Sequence, residues 1–333
     1  MASQFLNLVL TASLVSILTL TLMADEEITR HSEFPKDAPQ PWFTGPLLAP
    51  SGQTVKPGNY NIQPYVYFFV FGGGYDNHWQ YNSAPNFYRT VLQIQTKFGL
   101  TKWLDIQISP QFIYNSTQGQ NTCDIGDLPV SLNIQLFTTD LNVAWPSVKL
   151  GFRGWIPLGK YQDLKASKLR TDATGIGSIL PSVSLVFGKL WHAYGIHYVE
   201  GRLAVNYRIG TDVHVKGINT YGGASNTHGK AFPGNGVYVD GSLQYNLSQK
   251  WALACDFYYT HGNKSRFSGY KGTYETGSAA IVKRPSFEQF SLAPAIEYNW
   301  SENLGIIGGS WFTLGGRNAS QFTSAIVAVN IHL

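Results

Sequence analysis

From Tyr60 onward, apolar and polar residues alternate with a period of two, the repeat of a β-strand with one apolar and one wet face. Between Tyr88 and Leu100, Leu92, Ile94 and Phe98 fall on one side and Arg89, Gln93, Gln95 and Lys97 on the other. Between His197 and Ile209, Val199, Leu203, Val205 and Tyr207 oppose Glu200, Arg202, Asn206 and Arg208. In a soluble sandwich the polar face meets bulk water; in a membrane barrel it lines the lumen. Alternation alone does not separate the two.

The spacing of the breaks does. Strands are predicted near residues 60–71, 86–99, 103–114, 127–138, 147–157, 177–188, 197–209, 236–247, 251–261, 286–299, 303–314 and 319–333. Connections after the odd strands are long (72–85, 115–126, 158–176, 210–235 and 262–285), except the short 315–318. Those after the even strands are brief, such as 100–102 and 248–250. Long loops outside and short turns inside are the outer-membrane pattern, and an even strand count leaves both termini in the periplasm. The expected fold class is all-β: a transmembrane antiparallel β-barrel of about 12 strands with a Pro-rich N-terminal segment.

The short turns repeat one motif: Phe98-Gly99-Leu100-Thr101, Tyr245-Asn246-Leu247-Ser248 and Tyr298-Asn299-Trp300-Ser301. Trp103, Trp145, Trp191, Trp251 and Trp300 all fall at short turns, as a girdle at the membrane interface requires. The final strand alternates Ala325, Val327, Val329 and Ile331 with polar neighbours and ends on Leu333. Such a strand suits the barrel-assembly machinery, although the usual terminal residue is Phe.

Composition sharpens this picture. Charged residues are 13% of the chain and aromatics 14%, against roughly 25% charged in soluble domains. The net charge of +4 is scattered, and no basic run points to nucleic acid. Cys123 and Cys255 have no metal-binding spacing, and the topology argues against the one disulfide they could form, so two free thiols are expected, Cys123 in an external loop and Cys255 facing lipid or the outer packing surface. The apolar run from Leu6 to Met23 ends at Ala24 and is followed by three acids. It reads as a cleaved export signal, although no Lys or Arg precedes it. The expected organisation is a signal peptide at 1–24, a Pro-rich segment at 25–59 and a barrel at 60–333. Six prolines between Pro35 and Pro57 keep the middle segment out of the sheet, because proline cannot donate to a ladder. It is a periplasmic tail or a plug in the barrel mouth.

Four motifs in order carry a resemblance. They are Phe98-Gly99-Leu100-Thr101-Lys102-Trp103-Leu104-Asp105, Ile125-Gly126-Asp127-Leu128, Trp155-Ile156-Pro157-Leu158-Gly159 and Thr174-Gly175-Ile176-Gly177-Ser178. The chain resembles outer-membrane transporters linked to the meta-cleavage pathway of phenol degradation, over about residues 60–333. Leu158 stands where that family has Thr. The resemblance implies a barrel and uptake of hydrophobic or aromatic compounds.

The inward faces supply the candidate chemistry. Lumen-lining basic candidates are Arg89, Lys97, Lys149, Arg153, Arg202 and Arg208; acidic ones are Asp105, Asp127, Glu200, Asp240, Asp256 and Glu297. Glu200 and Arg202 share a face of one strand and can bridge. The charges either brace a filled interior or form a constriction that selects solutes. Inward aromatics (Tyr65, Tyr67, Trp155, Tyr198, Tyr238, Tyr258 and Trp311) line a path or fill space. The stretch His261-Gly262-Asn263-Lys264-Ser265 compares with a barrel phospholipase, but Asn263 sits where the nucleophilic Ser must be to reach its base. No enzyme, cofactor or metal site is expected. The reading is an outer-membrane channel or transporter for small hydrophobic or aromatic molecules. Its partners would be membrane lipid, the barrel-assembly machinery and a small solute. The alternatives are a surface or adhesion barrel without a conducting lumen, and a lipid hydrolase.

Overall fold

The computed structural model describes residues 40–139, 141 and 143–333. The expected signal at 1–24 and the first part of the Pro-rich segment lie outside them. Twelve antiparallel strands succeed one another around a closed wall. They are β1 (Tyr60–Tyr75), β2 (Tyr81–Thr101), β3 in two pieces (Leu104–Ile108 and Gln111–Thr117) and β4 in two pieces (Gln120–Ile125 and Leu128–Phe137). Next come β5 (Ser147–Ile156), β6 (Ser182–Tyr194), β7 (His197–Arg208) and β8 (Gly236–Asn246). Last are β9 (Trp251–Gly262), β10 (Phe287–Ser301), β11 (Leu304–Arg317) and β12 (Ala319–His332). Tyr65 on β1 stands opposite Gln93 of β2 on one side and Ala328 of β12 on the other. That second ladder removes the free sheet edge.

The exterior is apolar. Leu203, Val205 and Tyr207 are exposed on β7 while the alternate residues Tyr198 and Ala204 are buried inside. Leu243, Leu253 and Phe257 continue the exposed band over β8 and β9. A continuous apolar belt around a closed barrel matches lipid, not water. Trp103, Trp145, Trp191, Trp251 and Trp300 are all exposed at the end carrying the short turns, the expected interfacial girdle. Trp251 and Trp300 each pack against Tyr298, at 4.7 and 5.2 Å between ring centroids.

All twelve expected strands are present, with three differences. The first is that 72–85 is mostly strand. The β1–β2 ladder passes from Phe71 opposite Phe87 to Gly73 opposite Ser83. Pro85 falls in the resulting bulge, where its missing N–H breaks no ladder bond. At 21 residues, β2 is about twice the 9–11 needed to span, so the β1–β2 ribbon projects beyond the bilayer. The second is that 115–126 is a hairpin. Gln118 and Gly119, with φ of 45° and 78°, form a two-residue turn of the kind that joins twisted strands. Cys123 therefore lies on β4 opposite Tyr114, not in an external loop. Both thiols are free. The third is that β6 starts and ends about six residues later than expected. Residues before it stay in a loop pinned to the wall, with Trp155 N donating to Ile179 O at 2.8 Å.

Residues 41–59 run inside the periplasmic half of the wall. Leu47 is the apolar anchor, packed among Tyr65, Ala254, Ala293, Ile307, Ile326 and Ala328. Burial of one such side chain stabilises by roughly 1.5–3 kcal/mol.

Long loops cover the opposite end. Short strands at Val213–Lys216, His228–Phe232 and Arg266–Tyr270 pair into a small sheet. The loop after β5 joins it, with Leu164 N donating to Ile218 O at 2.8 Å. Val213, Val215, Tyr221, Ala231 and Val282 form the apolar core of this cap.

Candidate functional site

The inward charges meet a peptide before they meet any solute. The Asp256 carboxylate on β9 accepts from three backbone amides, Leu47 at 3.1 Å, Leu48 at 3.4 Å and Ala49 at 3.0 Å. Glu297 on β10 accepts from Thr44 N, Gln244 and Asn299. Across the lumen, Val55 N donates to Asp105 on β3 at 3.0 Å and Thr54 N to Gln135 on β4 at 2.7 Å. Lys149 on β5 donates to Gln53 O at 3.3 Å. A chain entering a lumen brings backbone groups that need partners, and these inward side chains provide them.

The other candidates divide between two chambers. Glu200 and Arg202 bridge at 2.9 Å, and Arg202 also donates to Ala49 O at 3.3 Å. Lys97, Arg153, Arg208 and Asp240 line a chamber of about 740 Å³ beside the inserted segment. Arg153 donates to Ser131 at 2.8 Å and sits 5.9 Å from the Trp155 ring centroid. Arg208 lies 4.8 Å over Tyr238, its Nε buried without a partner. Asp240 keeps one carboxylate oxygen unpartnered. Arg89 belongs instead to a second chamber, of about 960 Å³, between the lumen and the cap. Asp127 closes a loop: its oxygens accept from Gly159 N at 3.0 Å and Ile176 N at 2.8 Å.

Aromatic side chains connect the chambers. Tyr65, Tyr67, Phe69 and Phe71 point inward from β1 and stack in steps of 5.3, 5.9 and 5.8 Å. Trp155 lines both chambers. Tyr67, Tyr238 and Tyr258 face the lower one and Trp311 the upper. Tyr198 is packed against His192 instead, at 4.9 Å between centroids.

Two points were not resolved by the sequence reading. One is the choice between tail and plug for the Pro-rich segment, for which Trp42, Phe43, Leu47 and Leu48 are the clue; a solvated tail gains nothing from them. The other is the cap's basic set, Arg170, Lys283 and Arg284. These lie on irregular loops, where no periodicity assigns an inward face. Enclosure under the cap, then the neighbouring Arg170 charge, holds the Arg284 guanidinium below its ordinary pKa. Arg284 nonetheless keeps exposed surface and lines the second chamber.

Around His261, the ring nitrogens meet Asn263 at 3.2 Å and Glu288 at 3.5 Å. The Ser265 hydroxyl is engaged by Arg284 N at 2.6 Å. That stretch contains no serine hydrogen-bonded to its histidine, as nucleophilic catalysis requires.

No protein-family model and no curated protein matches the chain. Solved structures do. An outer membrane channel from Pseudomonas putida F1 aligns over 91% of this chain and 100% of that one, with 12% identity and a TM-score of 0.60. The NanC porin aligns over 81% and 98% at 10% identity and a TM-score of 0.39. The CymD monoaromatic hydrocarbon channel aligns over 84% and 88% at 10% identity, also at 0.39. The first likeness shows that the fold is that of an outer-membrane β-barrel.

Proposed function

We propose that this chain is a bacterial outer-membrane channel for small apolar or aromatic molecules, with its inserted N-terminal segment as the gate. One observation carries the reading: two chambers inside one closed barrel share Trp155 and are linked by the stacked aromatics of β1. A structural barrel gains nothing from cavities of this size, since packed interiors leave few voids larger than a water. Chambers of about 740 and 960 Å³ fall in the range that holds small ligands. The solved Pseudomonas putida F1 barrel, itself an outer membrane channel, supports the reading. So does the motif resemblance to transporters linked to the meta-cleavage pathway of phenol degradation, which favours aromatic solutes. Export through a signal ending at Ala24 belongs to the same proposal, and N-terminal sequencing of the mature chain should begin near Asp25.

The test has two arms. The intact protein in planar bilayers should give a small conductance, and deletion of residues 41–55 a much larger one. Cells lacking the protein should take up labelled phenol more slowly than cells carrying it. No current from either chain, with equal phenol uptake, would move the assignment to a surface barrel.

A further inference from the structure

The upper chamber combines two surfaces that seldom meet in a filled interior. Its floor is aromatic: Trp311 and Phe322 stand 4.9 Å apart, Phe71 and Phe322 6.0 Å, and Phe71 and Phe87 6.3 Å. Its upper wall is cationic, made by Arg89, Arg170, Lys283 and Arg284. Among the described residues, none of the four has a carboxylate at ion-pair distance. Arg170 donates to Asn219 O at 3.0 Å and Thr220 O at 2.9 Å. Arg284 donates to the same Thr220 O at 2.6 Å. Arg89 donates to Asn115 at 2.8 Å and Ala173 O at 3.3 Å. Every one of these acceptors is neutral, and a guanidinium has five N–H groups to place.

Two guanidinium groups on one carbonyl oxygen repel each other unless an anion joins them. The one acid lining the chamber, Asp127, is buried and tied to Gly159 and Ile176. It does not supply that anion. Arg170, Lys283 and Arg284 are all exposed and all line the chamber, so a ligand can reach them. A carboxylate matches the planar donor fork of Arg geometrically, and a ring or alkyl body matches the phenylalanine floor.

We propose that the upper chamber is a binding site for amphipathic anions, small carboxylates with an aromatic or aliphatic body. The carboxylate sits against Arg170 and Arg284, and the body rests on Phe71, Phe87 and Phe322. The inference rests on the channel reading and narrows its solute class.

Saturation-transfer NMR on the full chain in nanodiscs tests it without requiring flux. Probes are benzoate, benzylammonium and benzyl alcohol, each corrected against empty discs. Benzoate should bind, and benzylammonium should not. Arg170→Gln and Arg284→Gln should each weaken benzoate by about tenfold, the loss of one charge-assisted contact. Arg284→Lys should restore part of the loss, and added salt should weaken the parent. Each variant is first checked for the gel shift on boiling that marks a folded barrel. Were the variants unfolded, the comparison of benzoate with benzylammonium on the parent decides alone. Equal binding of the two, or unchanged benzoate binding in folded variants, overturns the proposal. Benzoate binding without phenol uptake or current would keep this site and remove the channel function. Phenol uptake without benzoate binding would do the reverse.

Discussion

The amide of Ala49 donates to the carboxylate of Asp256 at 3.0 Å, across a sequence separation of 207 residues. With Leu47 and Leu48 bound to the same group, this one side chain holds three consecutive peptides in the lumen. Asp256→Ala should therefore release the segment. Hydrogen bonds to charged groups contribute about 1.5–3 kcal/mol each, enough to raise the released fraction well over tenfold. A spin label at Ser51, in a background lacking Cys123 and Cys255, should become mobile, and conductance should rise. An immobile label with unchanged current would refute the anchoring role.

Leu47 tests the apolar half of the same attachment. Leu47→Ala removes a side chain that is 2% exposed. Large-to-small changes at such sites cost roughly 2–5 kcal/mol, here drawn from docking of the segment. Leu47→Met, close in volume, should leave docking near normal. The readout is the frequency of channel openings, which should rise for Ala only.

Gly52 and Gly188 test close approach. A Cβ on Gly52 would lie 2.6 Å from the Gly188 backbone nitrogen and 2.7 Å from its Cα. Gly52→Val should force the segment off the wall, with a current increase like that of Asp256→Ala. Because residue 52 is outside the strands, boiling should still shift the gel band. Loss of that shift would mean that the segment is needed to fold the barrel.

Arg202 and Glu200 form the pair nearest the middle of the segment. Arg202→Ala alone should destabilise the barrel by roughly 1–3 kcal/mol, since it leaves a half-buried carboxylate without its partner. Replacing both, with Glu200→Gln and Arg202→Met, should cost less. Urea unfolding followed by tryptophan fluorescence separates the two cases.

The wall was legible in the sequence because lipid and lumen impose opposite demands on alternate residues. Leu203 accordingly faces out and Arg202 in. Strand ends were less legible where glycine and proline are absorbed by bulges, as at Gly73 and Pro85, or where a tight turn lacks the usual Asn-Gly pair, as at Gln118 and Gly119. Among the partners of the inward charges, the Glu200–Arg202 bridge is legible from period alone; the backbone partners are not. Asp256, Glu297 and Lys149 point inward by period alone; that they bind backbone from residues 44–53 depends on the path of a segment without period. Arg170 and Arg284 were invisible for the same reason.

The inserted segment reaches from Glu297 on β10 to Gln135 on β4, strands half the ring apart. It is thus a tie across a hollow cylinder as well as an obstruction within it. A cylinder tied across its diameter resists flattening. Loss of the segment would therefore remove a brace between β4 and β10 along with an obstruction of the bore.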